Sequence, residues 1–487
     1  MRITRTTALA ATVVVALLGP GLAPALAQDT NPAADPDAWM PPALNYTGPP
    51  ANGPVDKSAN GNVVFTQKQA CITSSGGQPI KDVPNGQTWL RLDEAHQYAN
   101  GAGQTVAVID TGVNPHNALS GRLLPEADYL NVPGVNQQDC DGHGTEVAGI
   151  IGADTSSLGS GFQGVAPKAT ILPIRQSSSV ITVKAPTDQS DRPAGNSITL
   201  AYAILTAVQR GATVINMSLS ACLSPTMSGA DQQSQKILQQ AIHYAVADKK
   251  VVLVAAAGNL SQGPGCTTQN DAPDPNRPKW IESPAWFAED VLSVAAIATD
   301  NNGQAAGAPA NFTMWGPWVS VAGPGTGIIS LDPGSRTGLV NQEIVGGKPQ
   351  PLQGTSFAAP YVAGLAALVK QQFPNLNAYQ VMHRIEMTAQ HPGTPSGRNN
   401  QVGYGMIDPV AALTAVVPGE PNSPATAKAV QIPSDVGVAE AKSLSPMMFA
   451  MYGTLIGVAL LLITLFVVHA TSRSRRNHRP APQRLRM

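Results

Sequence analysis

The stretch Gly354-Thr355-Ser356-Phe357-Ala358-Ala359-Pro360 leads directly into an apolar run, Tyr361 to Val369, that predicts a buried helix. Ser356 is therefore expected at the start of that helix, where unpaired backbone N–H groups and the positive end of the helix dipole favour developing negative charge. Small neighbours would let a substrate backbone approach its hydroxyl. Because an ordinary helix-capping serine gives the same local pattern, the stretch indicates a nucleophile only together with other residues.

Two further stretches, each marked by glycine, supply such residues. Asp110 ends an apolar strand predicted over 104–109, and His143 lies between Gly142 and Gly144 at the start of a helix-compatible run. In an open α/β sheet the functional crevice lies at the carboxyl ends of the strands. A histidine at a glycine-lined helix start can reach both a strand-end carboxylate and a serine. The three stretches therefore predict an acid, a base and a nucleophile that act together.

The strand and helix pattern predicts the fold class. Apolar strands are predicted over 104–109, 170–174, 213–217, 251–256 and 291–296, with helical stretches such as 198–210 and 235–247 between them. Short apolar strands that alternate with helices predict an α/β fold, a parallel sheet with helices on both faces. Residues 176–196 interrupt this rhythm without an apolar period, so they are predicted as a surface loop, or alternatively as a disordered excursion without function.

Composition narrows the function classes. A net charge of −1 over 487 residues gives no reason to expect a nucleic-acid partner. Gly 46, Pro 42 and a charged fraction of 13% are typical of a loop-rich globular protein rather than a wholly disordered chain. The four cysteines show neither CxxC spacing nor a nearby histidine set, so no metal site is predicted, and no cofactor is expected.

The N-terminal part is predicted to direct export. Residues 1–27 combine early arginines, a short apolar run and Ala25-Leu26-Ala27, the pattern of a secretory signal peptide; an uncleaved anchor is the alternative. The Pro-rich extension, residues 28–85, has too few apolar residues for a core of its own. It is either a removable pro-segment or, if Cys71 pairs with the main domain, a permanent extension that wraps the surface.

The C-terminal part is predicted to cross a membrane once. The main domain, residues 86–417, is followed by a Pro/Ala/Ser-rich linker over 418–445 and by an apolar segment over 446–469. As a helix, the uncharged core of this segment would be roughly 33 Å long, enough to span a bilayer. The arginine-rich tail, residues 470–487, belongs on the cytoplasmic side. The main domain would then be extracytoplasmic; a buried core helix is the alternative.

Asp110, His143 and Ser356, in that order, resemble the subtilisin-like serine protease family, whose motifs look like DTG, HGT and GTSxAAP. The resemblance covers roughly residues 88–415. It implies a subtilisin-like fold and a peptidase in which His143 takes the proton of Ser356 and Asp110 orients His143.

The resemblance also implies roles for other residues. Asn259 matches the asparagine that binds the oxyanion, and Ser218, Leu219, Ser220 and Gly258 match the segments that line the substrate. Ser220 replaces a glycine of the family, which puts specificity inferred from broad subtilisins in doubt.

Two positions near the candidate base differ from this assignment or compete with it. Glu146 stands where many members of the family carry histidine. His116, six residues after Asp110, is a rival candidate base, and His143 is preferred because many members carry a histidine in that loop without using it in catalysis.

The cysteines are predicted to form two disulfides, since their number is even and the chain is exported. Cys222 and Cys266 each follow a strand that ends at the crevice, so their loops can meet, which leaves Cys71 for Cys140. Two other connectivities remain open: 71–222 with 140–266, and 71–266 with 140–222.

The order of segments along nearly the whole chain resembles the mycosins, membrane-anchored proteases of actinobacterial type VII (ESX) secretion systems. This implies a single-pass cell-membrane protein that meets the lipid bilayer through 446–469, contacts membrane components of the secretion system and cleaves a few peptide or protein substrates. Two alternatives differ in function: a mainly structural subunit of the complex, with proteolysis secondary, and a general degradative protease tethered to the membrane.

Overall fold

The computed structural model describes residues 40–51, 64–72, 80, 82–130, 139–185, 188–260, 266–270, 277–299, 306–345, 347–421, 457 and 460–469. Within these ranges the strands are β1 (Val64–Gln67), β2 (Thr105–Asp110), β3 (Ala127–Asp128), β4 (Thr170–Arg175), β5 (Ser178–Ala185), β6 (Asp188–Ala194), β7 (Val214–Met217), β8 (Ala221–Leu223), β9 (Val252–Ala256), β10 (Ile281–Ser283), β11 (Leu292–Ile297), β12 (Val321–Pro324), β13 (Ser330–Leu331), β14 (Leu339–Val340), β15 (Gln342–Val345) and β16 (Lys348–Pro351). The helices are α1 (Asn85–Trp89), α2 (Leu92–Ala95), α3 (His143–Gly152), α4 (Ser197–Gln209), α5 (Gly229–His243), α6 (Thr355–Gln372), α7 (Ala378–Met387) and α8 (Pro409–Thr414).

A seven-stranded parallel sheet, in the order β12-β11-β9-β7-β2-β4-β3, forms the centre of the molecule. Consecutive residues of a strand point to opposite faces of the sheet. All four residues from Val106 to Ile109 in β2 are 0% exposed, so both faces of the sheet are covered. The predicted α/β class with a parallel sheet is confirmed.

The five strands that the sequence predicted are the five inner strands of this sheet. The two strands at its edges, β3 and β12, were not predicted. They have two and four residues, and β12 contains a glycine and ends in a proline. Edge strands are short and tolerate proline, so they lack the continuous apolar run that identifies an inner strand.

Two pairs of helices pack on the sheet. α6 packs against α3 and against the inner strands, and it is buried throughout its predicted apolar run, 361–369. α4 and α5 pack against each other, and α4 also contacts β2 and β4. These helices bury the Ala, Val, Ile and Leu side chains of one continuous core.

The prediction of a surface loop over residues 176–196 is wrong. Strands β5 and β6 form an antiparallel hairpin there, and β1 of the N-terminal extension adds a third strand. Val180 and Ile181 are each 1% exposed and belong to a small apolar cluster against which Phe65 of β1 packs. The hairpin was not recognised because its outer strand, DQSDRPA, is polar and contains a proline.

The N-terminal extension also contacts the main domain outside β1. Ile72 donates a backbone hydrogen bond of 2.7 Å to the carbonyl of Cys140, next to the Cys71–Cys140 disulfide. Near the end of α5, the Tyr46 hydroxyl donates to Asp248 at 2.5 Å. The second disulfide joins Cys222 to Cys266. The preferred connectivity is therefore the one observed.

The chain divides into two compact units, 1–423 and 424–487. At the end of the first, the buried Arg384 side chain binds the Glu420 carboxylate through Nε at 2.9 Å, so ordered structure continues past residue 417. In the second, residues 460–469 are helical. The signal peptide predicted over 1–27, the basic tail predicted over 470–487, and the linker predicted over 418–445 from residue 422 onward lie outside the described residues. Among the residues described, no helix has both the length and the apolar character needed to cross a bilayer.

The Cys71–Cys140 disulfide should hold the extension to the domain after backbone cleavage. If a specific protease site is inserted into 73–79, the cut protein should migrate as one species on a non-reducing denaturing gel and as two after reduction, because the disulfide lies across the cut. A variant with Cys71→Ser and Cys140→Ser, carrying the same site, should give two species without reductant. Separation of the parent protein without reductant would contradict the pairing.

Candidate active site

Asp110 and His143 meet at the carboxyl edge of the sheet. Asp110 is the last residue of β2 and is 2% exposed, and His143 is the first residue of α3. The imidazole Nδ1 lies 2.7 Å from Asp110 Oδ1. A carboxylate only accepts hydrogen bonds, so Nδ1 carries the proton and Nε2 is the free nitrogen of the neutral ring. The structure thus brings together the predicted acid and base in the tautomer that accepts a proton at Nε2.

The start of α3 is fixed by a second buried carboxylate, Asp139, which is 4% exposed. Its oxygens accept four hydrogen bonds of 2.7–2.8 Å, from the backbone N–H groups of Gly142 and Thr145 and from the hydroxyls of Thr111 and Thr145. Thr111 follows Asp110 directly, so Asp139 links the strand that carries the acid to the helix that carries the base.

Gly144 allows this close approach of α3 to the end of β2. A Cβ at Gly144 would lie 2.0 Å from the carbonyl oxygen of Gly112, so any other residue would push the helix away from the strand. The glycine after the histidine in the HGT motif is therefore explained by packing.

Pro360 explains how the backbone at Ser356 is held. Ser356 is the second residue of α6, and Pro360 lies four residues later inside the same helix. Proline has no N–H, so the Ser356 carbonyl lacks its usual partner within the helix. The Ser218 hydroxyl donates to that carbonyl at 2.6 Å instead, and Asn216 Nδ2 donates to the Ser218 oxygen at 2.8 Å. The end of β7 is thereby fastened to the candidate nucleophile.

Asn259 is held next to Ser356 from the other side. Its Oδ1 accepts hydrogen bonds from the Thr355 N–H at 3.0 Å and from the Thr355 hydroxyl at 3.2 Å. Because these contacts fix the oxygen of the amide, the NH₂ group is oriented as the donor end.

His143 also lies near the start of α6. The centre of its ring is 5.2 Å from that of Phe357, the residue after Ser356. Asp110, His143, Asn259 and the first turn of α6 therefore occupy one region of the surface.

The surroundings of the His143 imidazole shift its pKa. Burial disfavours its charged form, but the Asp110 carboxylate outweighs burial and raises the pKa of His143 to about 9. Glu146, one turn along α3, is 4% exposed, and burial raises the pKa of its carboxyl well above the usual value.

His116, the rival candidate base, has both ring nitrogens in structural contacts. Nδ1 accepts from the Ala118 N–H at 3.1 Å, and Nε2 lies 3.0 Å from the carbonyl oxygen of Gly338. Burial lowers the pKa of His116. This histidine supports a loop and is not paired with Asp110.

The segments predicted to line the substrate lie beside Asn259 and Ser356. Ser218 is buried at the end of β7, and Gly258 precedes Asn259. Leu219 and Ser220 line a cavity of about 250 Å³ together with Leu200 and other residues of α4 and the segment before it. A larger cavity of about 500 Å³, near Trp89 and Met406, contains none of the predicted site residues, so volume alone does not identify the site.

Sequence reasoning missed Asp139 and Asn216. Asn216 is a polar residue inside an apolar strand and is 0% exposed. A buried polar side chain needs a partner, so this position was a readable signal of a structural hydrogen bond. Asp139 was readable as an acidic residue just before a glycine-marked helix start, where carboxylates accept free N–H groups.

Comparison with known proteins agrees with this geometry. Residues 101–405 match the model of the subtilase family of peptidases (peptidase S8). Mycosin-1 of Mycolicibacterium smegmatis is 42% identical over 371 residues, which cover 73% of this chain and 78% of the relative. Mycosin-1 of Mycobacterium tuberculosis is 41% identical over 427 residues, which cover 85% and 87%.

Solved structures of type VII secretion proteins are also similar to this chain. The crystal structure of MycP1 from the ESX-1 type VII secretion system is similar with a TM-score of 0.68 and 39% identity, covering 78% of this chain and 98% of that one. A chain in the structure of an intact ESX-5 inner membrane complex is similar with a TM-score of 0.65 and 35% identity, covering 90% and 99%. The chain therefore belongs to the subtilase family and is a subtilisin-like serine protease of the mycosin type.

Proposed function

We propose that this protein is a membrane-anchored endopeptidase in which Ser356 is the nucleophile, His143 the general base and Asp110 the residue that orients the base. The observation that carries the proposal is the 2.7 Å hydrogen bond from His143 Nδ1 to Asp110, since it leaves Nε2 as the proton acceptor. The position of Ser356 at the start of α6, two residues after Gly354, supports it.

The reaction follows from these roles. His143 takes the proton of the Ser356 hydroxyl as its oxygen attacks the substrate carbonyl, and it then gives that proton to the departing amine. While His143 is protonated, the Asp110 carboxylate stabilises the imidazolium, as the raised pKa of about 9 reflects. Water then enters, and the same base activates it to release the acyl group.

The oxyanion that forms during attack needs hydrogen-bond donors. The Asn259 NH₂ group is the proposed side-chain donor, because Thr355 already occupies the oxygen of the same amide. The Ser356 N–H, in the first turn of α6, is the proposed second donor. Donors that are fixed before the reaction stabilise developing charge without further reorganisation.

The substrate is proposed to lie along Ser218, Leu219 and Ser220 as an added strand, with Gly258 on the opposite side. These three residues follow β7 without a regular strand partner of their own among the described residues. An extended peptide that pairs with such a segment gains main-chain hydrogen bonds, while adjacent pockets read its side chains. Leu219 and the cavity of about 250 Å³ are one such pocket.

Location is proposed from the sequence together with the relatives. An uncharged apolar segment over 447–468 is followed by an arginine-rich tail, and the described side chains from 460 to 468 are exposed, as expected for a surface that lipid would cover. A signal peptide over 1–27 would place the protease domain outside the cytoplasm. The similar chain in an intact ESX-5 inner membrane complex supports membrane components of a type VII secretion system as partners. Selective processing of secreted substrates is part of the proposal.

A second role, as a structural subunit of the secretion complex, is favoured by one observation. Similar chains occur in solved assemblies of the ESX-5 inner membrane complex, including its periplasmic assembly. Such a role requires the folded domain and its surface but not the nucleophile.

The activity should rise as His143 loses its proton. Only the neutral ring accepts a proton, so kcat/KM should increase through pH 7 and 8, reach half its maximum near the pKa of about 9 and level off above it. Since this pKa exceeds the unfolded value of about 6.5, the pairing of protonated His143 with Asp110 stabilises the folded protein. This contribution to folding stability is complete below pH 6.5 and is lost as pH rises through 9. NMR titration of the His143 ring checks the value.

Asp110→Asn should lower that inflection, because it removes the attracting charge, whereas His116→Gln should leave it in place. An inflection at or below pH 6.5 in the parent protein would contradict the proposed coupling of His143 to Asp110.

Removing the nucleophile should abolish proteolysis without unfolding the protein. Ser356→Ala should lower kcat by about 10⁶-fold, as in subtilisin, and should prevent labelling by a fluorophosphonate probe. Asn259→Ala should lower kcat by about 10²–10³-fold. His116→Gln is the matched control and should keep activity within about threefold, since its ring makes only structural contacts. Persistent labelling of Ser356→Ala would rule out the proposed nucleophile.

The two roles should separate in cells that carry Ser356→Ala at normal protein level. If the structural role is independent of catalysis, the secretion complex assembles and secretion continues while substrate cleavage stops. If secretion fails in this variant but the complex still assembles, catalysis is the required function. Quantitative mass spectrometry of secreted proteins and native gels of the membrane complex measure both outcomes.

A further inference from the structure

A buried carboxylic acid lies behind the substrate-lining segments. Glu282 is in β10 and is 1% exposed. β10 pairs antiparallel with β8, and β8 begins directly after Ser220. A Cβ at Gly258 would lie 2.3 Å from Glu282 Cδ and 2.5 Å from Oε1, so the Glu282 side chain packs directly on that glycine. Ser220 donates a side-chain hydrogen bond to the same carboxyl group. Glu282 therefore occupies the space between Ser220 and Gly258.

The carboxyl is held there at a cost. Burial raises the pKa of Glu282 to about 8, and the hydrogen bond from Ser220 only partly opposes this. Among the described residues, Oε2 has no hydrogen-bond partner, although the atom is buried. Buried polar atoms without partners are rare in native proteins and need an explanation. Next to a substrate-lining segment, a functional explanation is the first to test.

The wall that contains Glu282 is covalently braced. Cys222 is the cross-strand neighbour of Glu282, and it forms the disulfide with Cys266. The two sulfur atoms and one Glu282 oxygen lie within 4.8 Å of one another. Because both sulfurs are consumed by the disulfide, the group does not offer a thiolate metal site. The disulfide instead limits how far this wall can move when a substrate arrives.

We infer that Glu282, together with Ser220, closes the end of the pocket that receives the substrate side chain immediately before the scissile bond, so that the protease selects glycine, alanine or serine there. The inference rests on the proposed function, because it takes Ser356 and Asn259 as the groups that hold the scissile carbonyl. In the proposed substrate position, the side chain of the residue that carries this carbonyl passes between Gly258, which precedes Asn259, and the Ser218–Ser220 segment, whose first residue bonds to Ser356. Glu282 fills the far end of that passage.

A different use of the same carboxyl would be to bind a lysine or arginine side chain. Against this, both the residue as a whole and Oε2 are inaccessible in the structure, so a cation would have to displace Glu282 or Ser220 to reach it. The closed arrangement instead excludes long side chains whatever their charge. The experiment below distinguishes the two uses.

The test uses the full-length protein and a series of peptidyl diphenyl phosphonates that are identical except for the reacting residue, which is Ala, Leu, Phe or Lys. The rate constant for inactivation should be about 10–200-fold higher for Ala than for Leu, Phe or Lys, the range that pocket size sets in enzymes. A fluorophosphonate without a side chain at this position is used in parallel and reports only on the nucleophile.

Glu282→Ala should open the pocket and raise the rates with Leu and Phe by about tenfold or more, while the Ala rate changes by less than about threefold. Glu282→Gln has the same shape and should keep the preference for Ala. Glu386→Ala is the matched control: burial raises the pKa of this carboxyl to about 7 as well, but it lies on α7 and bonds to Ser320, so the side-chain preference should not change. Thermal unfolding of each variant monitors the fold.

Three results would overturn the inference. They are a parent protein that prefers Leu or Phe, a Glu282→Ala variant with unchanged rates, and a preference for Lys that Glu282→Gln removes, which would show that the carboxylate binds a cation. Each of these requires that the probes react with Ser356. If neither the fluorophosphonate nor any phosphonate reacts, it is the proposed nucleophile that fails, and the two failures are thereby distinguished.

Discussion

The direction of three adjacent strands is the constraint on which the site depends. β9, β7 and β2 are neighbours in the sheet and run parallel, so their carboxyl ends lie at one edge. Asp110 ends β2, Ser218 directly follows β7, and Asn259 lies three residues beyond the end of β9. Parallel pairing thus brings together residues that are far apart in the chain, because each of them lies at the carboxyl end of its own strand.

Two helix starts complete the site. Each is held by a hydrogen bond to a backbone group that has no partner within its own helix. His143 begins α3, whose first N–H groups bond to Asp139, and Ser356 is in the first turn of α6. In α6 the proline deprives the Ser356 carbonyl of its helical partner, and Ser218 replaces that partner. Pro360 therefore leaves the Ser356 carbonyl available to Ser218, and this hydrogen bond ties the candidate nucleophile to the sheet edge.

The buried carboxyl groups around the site differ in which effect dominates, pairing with a cation or burial. Asp110 faces an imidazole that accepts a proton, and this pairing outweighs the effect of burial, so an ion pair is favoured when the imidazole is protonated. For Glu146 and Glu282 burial dominates and raises the pKa of each. In the proposed reaction, charge is thereby concentrated on the Asp110–His143 pair, while Glu282 contributes shape and a hydrogen bond.

The sequence by itself determined the α/β class and the five inner strands and marked Asp110, His143, Ser356 and Asn259 as candidate site residues, because continuous apolar runs and glycine-marked motifs are local signals. It did not determine the edge strands, the hairpin over 178–194 or the strand that the extension adds to it, since these short or polar segments become strands only through their partners. Nor could it show that Asp139 holds the His143 helix or that Glu282 packs on Gly258. Those contacts join residues whose separation in the chain carries no information about their distance in space, so only the tertiary structure decided them.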